Sequence, residues 1–219
     1  MDKKDIQQRF DGVARSKTFQ NILNEYDLKN KSVFDVGCTY GEFLAYFGEG
    51  SQGVTIVKEE TDEAVRRGLN VVTGNVEDSN FSVPGVFDVV FANNIFEHLY
   101  SPHNFLIRIK KNLKPDGVLI LGVPCIPKIV FLLRLKKFRG SLASNHINYF
   151  TYDTLVKTVK SGGWDLKVCR SFHFKNRLID RLIRIIVPHF YVVATPVTSF
   201  EYSSKRKKEL KGYGKEYEN

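Results

Sequence analysis

The sequence contains few of the features that mark secreted, membrane-spanning or metal-clustered proteins. Its three cysteines, Cys38, Cys125 and Cys169, are scattered without metal-ligand spacing. We therefore expect reduced thiols in a cytoplasmic protein. No stretch reaches the roughly 18 to 20 apolar residues that a membrane-spanning helix requires. The charged residues 1–5 lead into no apolar segment of the kind found in a signal peptide.

The composition that remains is that of an ordinary globular protein with an excess of positive charge. Hydrophobic residues make up 42% and charged residues 26% of the 219 positions, which suits one sizeable domain. The formal net charge is +9, and part of it lies in the tail around residues 205–208. Such a balance attracts nucleic acid, anionic lipid or a phosphorylated substrate, without distinguishing between them.

Short apolar strands alternate with amphipathic helices along the chain. The predicted strands are residues 32–36, 53–57, 70–73, 87–92, 118–123, 165–174 and 189–195. Helices are predicted between them, including residues 41–47 directly after the first strand, and residues 114–117 are predicted to form a turn. This order predicts an α/β fold, a Rossmann-like doubly wound sheet of seven strands that is mostly parallel, with an antiparallel last strand.

A glycine turn follows the first predicted strand. Gly37 and Gly41 stand where the strand gives way to a helix, and glycine allows the backbone to come close to a ligand there. A dinucleotide site uses three glycines in the pattern G-x-G-x-x-G. Because Glu42 stands at the position of the third glycine, the turn argues against NAD.

The turn and four later segments together resemble the ordered motifs of class I S-adenosylmethionine-dependent methyltransferases. Asp35-x-Gly37-x-x-x-Gly41 is similar to motif I of that family. The further segments are the adenine-contacting stretch at 74–78, the fourth-strand signature at 87–99, the turn at 113–119 and an H-x-x-x-F-T segment at 146–151. The resemblance covers about residues 30–165 and implies a Rossmann-like fold with S-adenosylmethionine as the cofactor.

The resemblance also implies a set of cofactor-binding residues. They are Asp35, Gly37, Cys38, Thr39, Gly41, Thr55, Asn75, Val76 and Asn93. Thr39 replaces the middle glycine of motif I, and Asn75 replaces the aspartate expected at the adenine. Thr55 stands where the second strand usually ends in an acidic residue that binds both ribose hydroxyls. Glu59 and Glu60 are the nearest replacements. If each weakened contact costs about 1 kcal/mol, affinity falls by about 10- to 100-fold.

His146 is the predicted catalytic base, because it follows strand five and a hydroxyl acceptor needs a proton acceptor. The alternative is a histidine that only holds its loop. Glu97, His98 and His146 resemble the metal ligands of some ubiquinone-type O-methyltransferases. However, Asn94 stands where those enzymes have a further glutamate, so we expect no metal.

Two insertions, about 125–145 and 175–188, are expected to form a small basic cap on the substrate side. Their amphipathic segments suit a membrane interface, the core or a homodimer seam. The expected acceptor is a small molecule, a sugar or a lipid-linked group, and the expected location is the cytoplasm, with peripheral contact at the inner face of the membrane.

The predicted activity is O-methylation of a sugar, a glycan or another small-molecule hydroxyl. The alternatives are a non-catalytic binding protein of the same fold and an RNA methyltransferase. Nucleic acid is not the expected partner, because the sequence lacks an N-P-P-Y-type base-flipping motif. The predicted organisation is an N-terminal helical segment over the cofactor site (1–30), the main domain (31–198) and a charged flexible tail (199–219).

Overall fold

The computed structural model describes residues 2–205 and begins with two helices that pack against one face of the sheet. These are α1 (Lys3–Arg15) and α2 (Lys17–Glu25), followed by a 3-10 turn at Leu28–Asn30. Ser16 separates them, because its N–H donates to Val13 O at 3.1 Å while its hydroxyl accepts from Phe19 N–H at 3.3 Å. The apolar face of α2 is fully buried. The helical N-terminal segment predicted from the sequence is therefore present as two short helices.

Eight strands form one sheet. They are β1 (Val33–Val36), β2 (Gln52–Thr55), β3 (Val71–Thr73), β4 (Phe87–Asn93), β5 (Leu113–Ile126), β6 (Phe150–Thr151), β7 (Trp164–Arg170) and β8 (His189–Pro196). Their order is β3-β2-β1-β4-β5-β8-β7, and the two-residue β6 pairs with β5 outside that path. β1 to β5 pair in parallel, and β8 runs antiparallel to both neighbours. The predicted Rossmann-like sheet with an antiparallel last strand is confirmed.

Helices cover both faces of the sheet, so its central strands are buried on each side. The remaining helices are α3 (Lys58–Arg66), α4 (Pro102–Arg108), α5 (Tyr152–Ser161) and α6 (Arg177–Leu182). Along β4, Val90 and Ala92 face the core that α4 and α5 close, while Val89 and Phe91 face the core beneath α2. This alternation is the period-two pattern of a strand with two apolar faces.

The helix predicted at residues 41–47 is wrong, since only the 3-10 turn Leu44–Tyr46 forms there. The segment is drawn onto α2 by aromatic packing: the ring of Phe43 lies 4.9 Å from that of Phe19. Gly48 then ends it, because its N–H donates to Leu28 O and Lys31 O, each at 3.0 Å. Few residues therefore remain for regular helical turns between β1 and β2.

The turn predicted at residues 114–117 is also wrong, because these residues form an irregularity inside β5. Leu113 pairs with Phe87, and the next pair is Val118 with Val89, so β5 advances by more residues than its partner. Pro115 has no N–H to donate and is tolerated at such a bulge.

The two insertions form short helical pieces that touch each other. The first contains 3-10 turns at Val130–Arg134 and Lys136–Leu142, and the second contains α6 with a 3-10 turn at Ile183–Ile185. The N–H of Ile129 donates to Ile185 O at 3.4 Å and joins them. Among residues 2–205, no helix has both the length and the apolar content that crossing a bilayer requires.

The start of the predicted flexible tail is held against the domain. Lys110 Nζ lies 4.7 Å from the centre of the Phe200 ring, and the hydroxyl of Tyr202 hydrogen-bonds His103 Nε2. Phe200 and Tyr202 therefore contact the domain, while the other residues of 199–205 are exposed. The rest of that predicted tail, residues 206–219, lies outside the described part of the chain.

Candidate functional site

A cavity of about 670 Å³ lies where the N-terminal helices meet the ligand edge of the sheet, which is the edge at the carboxyl ends of the parallel strands. Its wall includes Arg9 and Val13 from α1, Glu42 after β1 and Asn93 at the end of β4. The cap and the residues around the start of β8 complete the wall. The volume is that of a small-molecule site, and carboxyl ends of parallel strands are where open α/β sheets bind ligands.

The glycine turn after β1 has the backbone that the sequence predicts. Gly37 and Gly41 adopt φ values of +74° and +81°, in the left-handed region that favours glycine. A Cβ on Gly37 would lie 2.7 Å from Ile95 Cδ1. Thr39 adopts φ +47° although it has a branched side chain, so this turn contains a strained non-glycine residue.

Thr39 has a hydrogen-bonding role that accounts for a side chain at this position. Its hydroxyl donates to Glu42 Oε2 at 2.7 Å and accepts from Arg9 Nη2 at 3.0 Å. Arg9 Nε also donates to Glu42 Oε1 at 2.8 Å, and Glu42 is only 3% exposed. This group, the Arg9–Thr39–Glu42 cluster, connects α1 directly to the glycine turn.

Glu60 supplies a carboxylate at the end of β2. Glu60 Oε2 accepts from the Thr55 hydroxyl at 2.5 Å, and Thr55 is buried. The side chain reaches back from the first turn of α3. The acidic group that the sequence lacks at position 55 is therefore present in space, and it comes from Glu60 rather than from Glu59.

Asn75 lies in an exposed loop after β3 and stabilises its own turn. Its Oδ1 accepts from Glu77 N–H at 3.0 Å, and its Nδ2 donates to Asp78 Oδ1 at 3.3 Å. Val76 beside it is buried. Of the predicted cofactor residues, these two therefore lie at β3, while Thr55 lies at β2 and the others lie at the ends of β1 and β4.

Two buried acceptors near the turn have no hydrogen-bond partner among residues 2–205: Asp35 Oδ2 and Asn93 Oδ1. Burial, reinforced by the nearby Glu42 carboxylate, raises the pKa of Asp35 well above its usual range. Buried polar atoms in native proteins normally have partners, so these two indicate a place for a ligand's donors. S-adenosylmethionine carries an ammonium group, ribose hydroxyls and an adenine amino group, and the residues present fit it.

Glu97, His98 and His146 form a second polar group, at the 3-10 turn after β4. Burial raises the pKa of Glu97 to about 7. Glu97 Oε1 lies 3.9 Å from His146 Nε2 and 3.8 Å from His98 Nε2. The ligand atoms of the three residues lie within 4.8 Å of one another, and no ion is described there. The absence of a metal stays a prediction.

His146, the base predicted from the sequence, lies in this polar group and is not among the residues that line the cavity. Burial lowers its pKa, as does the neighbouring His98. Its Nδ1 has no partner among the described residues. Its assignment as the base stays a prediction.

His189, which belongs to no recognised sequence motif, lines the cavity at the start of β8. Its Nε2 lies 2.8 Å from Asn94 Oδ1, and burial lowers its pKa to about 4, so the ring is neutral at pH 7. The antiparallel pairing of Pro124 with His189 brings it to the ligand edge. An antiparallel last strand, which the sequence did predict, is the signal that could have identified it.

Sequence comparison matches residues 7–167 to a family described as "Methyltransferase domain". The chain is 29% identical over 139 residues to the mitochondrial ubiquinone biosynthesis O-methyltransferase of Schizosaccharomyces pombe, a match that covers 58% of this chain and 50% of that protein. It is 32% identical over 107 residues to the tRNA U34 carboxymethyltransferase of Actinobacillus succinogenes, over 43% of this chain and 32% of that protein. The chain thus matches half or less of the length of these relatives.

Two solved structures illustrate the similarity of fold. A TehB-like SAM-dependent methyltransferase from Corynebacterium glutamicum superposes with a TM-score of 0.60 at 15% identity, covering 88% of this chain and 97% of that one. A SAM-dependent methyltransferase from Archaeoglobus fulgidus gives a TM-score of 0.60 at 20% identity, covering 88% and 99%. At these identities the likeness concerns the fold alone.

Proposed function

This chain belongs to the methyltransferase-domain family, and we propose that it transfers a methyl group from S-adenosylmethionine to a hydroxyl group of a small molecule. The observation that carries the proposal is the pair of unpartnered buried acceptors, Asp35 Oδ2 and Asn93 Oδ1, close to the glycine turn. Asn93 also lines a cavity large enough for an acceptor.

The residues that would hold the cofactor lie along one edge of the sheet. Glu60, fixed by Thr55, offers a carboxylate to the ribose hydroxyls, where charge-assisted hydrogen bonds are strongest. Asn75 and Val76, which follow β3, are the proposed contacts to the adenine. Asp35 and Asn93 are the residues proposed to bind the amino acid end of the cofactor. When bound, the cofactor supplies an electrophilic methyl group on a positively charged sulfur.

The lining of the cavity favours an acceptor with an apolar body. Phe43, Phe138, Phe174, Ile183 and Ile186 form much of the wall. Such a wall excludes water and orients the acceptor, which is most of what a methyl transfer requires from the protein. The sequence favours a sugar or glycan hydroxyl. These apolar side chains are better suited to a hydroxyl carried by an apolar ring or an apolar chain.

His146 is the proposed proton acceptor for the hydroxyl, which is a weak nucleophile while neutral. The carboxyl of Glu97, with a pKa of about 7, lies 3.9 Å from the His146 ring nitrogen. His189 is the competing candidate because it lies in the cavity wall. Burial lowers its pKa to about 4, which makes it a weak base at neutral pH, so the role proposed for it is positioning, together with Asn94.

The proposal is tested with cofactor labelled on the methyl group. The protein is incubated separately with hydroxylated aromatic compounds, with sugars and with bulk tRNA. We expect label on the hydroxylated aromatic compounds, with release of S-adenosylhomocysteine. Label on the sugars alone would support the narrower glycan assignment. Label on tRNA alone would replace the proposal with an RNA methyltransferase; one matched relative, the tRNA U34 carboxymethyltransferase, also acts on tRNA.

A further inference from the structure

The two insertions form an exposed surface beside the cavity, which we call the cap surface (residues 128–142 and 174–186). Eleven of the nineteen exposed large apolar side chains among the described residues lie on it. Its two halves are joined by the hydrogen bond from Ile129 N–H to Ile185 O at 3.4 Å. Phe138 from one half and Ile183 from the other line the same cavity.

The apolar side chains of the second half form a stripe at helical spacing. Leu178 and Leu182 lie one turn apart on α6 and are 70% and 76% exposed. Ile185 continues the stripe in the following 3-10 turn and is also exposed. An amphipathic helix normally buries this stripe. Here the apolar stripe faces solvent, which marks an interaction surface.

The cap surface is strongly positive. Its exposed basic residues are Lys128, Arg134, Lys136, Arg139, Lys175, Arg177 and Arg181. Lys128 pairs with Asp153 and Arg177 pairs with Glu25. In contrast, Lys136, Lys175 and Arg181 have no ion pair with any residue between positions 2 and 205. The one acidic residue on the surface, Asp180, is 2% exposed and accepts from Ser171 Oγ at 2.8 Å. The surface therefore presents basic and apolar groups with no exposed carboxylate.

We propose that the cap surface docks on an anionic lipid bilayer. In this arrangement the exposed leucine and isoleucine side chains enter the interface, and the lysine and arginine side chains meet the negatively charged headgroups. The proposal goes beyond methyl transfer and does not depend on it. Because the cap also walls the cavity, docking would bring the cavity close to acceptors that reside in the membrane.

Other partners complement either the positive charge or the apolar stripe of this surface, but not both. RNA would pair with the basic residues, but it binds aromatic side chains by stacking and offers little to Leu178 and Leu182. A second copy on a twofold axis would cover the apolar stripe, but it would place the same unpaired basic residues near one another. A bilayer with anionic lipids complements both the charge and the apolar stripe.

The test is sedimentation of the full chain, without cofactor, with mixed phosphatidylglycerol–phosphatidylcholine vesicles and with pure phosphatidylcholine vesicles. We expect binding to the mixed vesicles and at least about tenfold weaker binding to the neutral ones, since each basic residue near an anionic surface contributes about fivefold. Equal binding to the two compositions, or binding to neither, would overturn the proposal.

Variants separate the contributions of charge and apolar contact. Leu178→Asp with Leu182→Asp should lower binding to mixed vesicles by at least about tenfold, because two inserted side chains are lost. Lys136→Glu with Arg181→Glu should do the same through charge. The matched control is Val65→Asp with Val86→Asp, which changes two exposed apolar residues away from the cap and should bind like the unchanged protein.

Thermal unfolding of each variant checks that it is folded, and these exposed positions should leave the melting temperature nearly unchanged. An equal loss in the Val65 and Val86 control would overturn the proposal. So would tight binding to RNA that the two leucine substitutions leave unaltered, or a dimer in solution that those substitutions dissociate. Because no cofactor is used, failure of the methyltransferase proposal would leave this result intact.

Discussion

Glu60 and Thr55 hold a carboxylate at the carboxyl end of β2, with Glu60 Oε2 2.5 Å from the Thr55 hydroxyl. The strand itself ends without an acid, and the first turn of α3 provides one. We propose that the two residues together do what a single acidic residue at position 55 would do. With Glu60 included, the candidate cofactor site has an acidic group that position 55 lacks.

The first prediction concerns this pair. Glu60→Gln should raise the dissociation constant for S-adenosylmethionine by about tenfold, because a neutral amide replaces a charge-assisted hydrogen bond. Glu59→Gln, which changes the neighbouring exposed carboxylate, is the matched control and should leave affinity unaltered. Titration calorimetry measures both. A larger loss of affinity with Glu59→Gln than with Glu60→Gln would show that the carboxylate role belongs to Glu59 and not to Glu60.

The second prediction concerns the Arg9–Thr39–Glu42 cluster. Glu42→Gln should destabilise the fold by about 1 to 3 kcal/mol, since a buried carboxylate that accepts from Arg9 and Thr39 loses its charge. The loss should be local, so hydrogen exchange should quicken in α1 before it does in the sheet. Asp11→Asn, at an exposed site on α1, is the control. Unchanged exchange in α1 would show that the cluster does not hold this helix.

The third prediction separates the two histidines. His146→Ala should lower turnover by about 10²- to 10⁴-fold while leaving cofactor affinity intact, because a proton acceptor is removed. His189→Ala should mainly raise KM, since this residue lines the cavity. Initial rates and calorimetry on both variants test the assignment. Full turnover by His146→Ala with loss in His189→Ala would transfer the role to the cavity wall.

The fourth prediction follows from the raised pKa of Glu97, about 7 against 4.5 for the free side chain. The folded protein binds this proton more tightly than the unfolded chain, so stability falls as pH rises from about 4.5 to about 7. Glu97→Gln removes the ionisation and should raise the free energy of unfolding at pH 8 by up to about 3 kcal/mol. Urea unfolding at pH 5 and pH 8 tests it, and equal effects at both pH values would contradict it.

The backbone of the site was predictable from local sequence, whereas several contacts were not. Gly37 and Gly41 reveal the turn because few other residues adopt their positive φ values. The helix predicted at 41–47 does not form because Phe43 packs on the ring of Phe19, which is distant in sequence. The position of His189 depended on the register of β8 against β5. Propensity and spacing carry no information about such long-range packing.

The Thr55–Glu60 pair also combines a feature that the sequence predicts with a contact that it does not predict. The sequence placed two carboxylates just beyond β2, but the choice between them depended on the direction in which the first turn of α3 aims each side chain. The Arg9–Thr39–Glu42 cluster likewise joins residues about 30 positions apart. Its signal in sequence is only the unexpected threonine in a glycine motif.

Calorimetric titration of the full chain with S-adenosylmethionine tests the central claim most directly. The site described here predicts saturable binding to one site, with a dissociation constant between about 1 µM and about 1 mM. Competition by S-adenosylhomocysteine and no heat from NAD should accompany it, because the third glycine of the dinucleotide motif is absent. No heat at millimolar S-adenosylmethionine would contradict cofactor binding at this site and leave a methyltransferase fold without its cofactor.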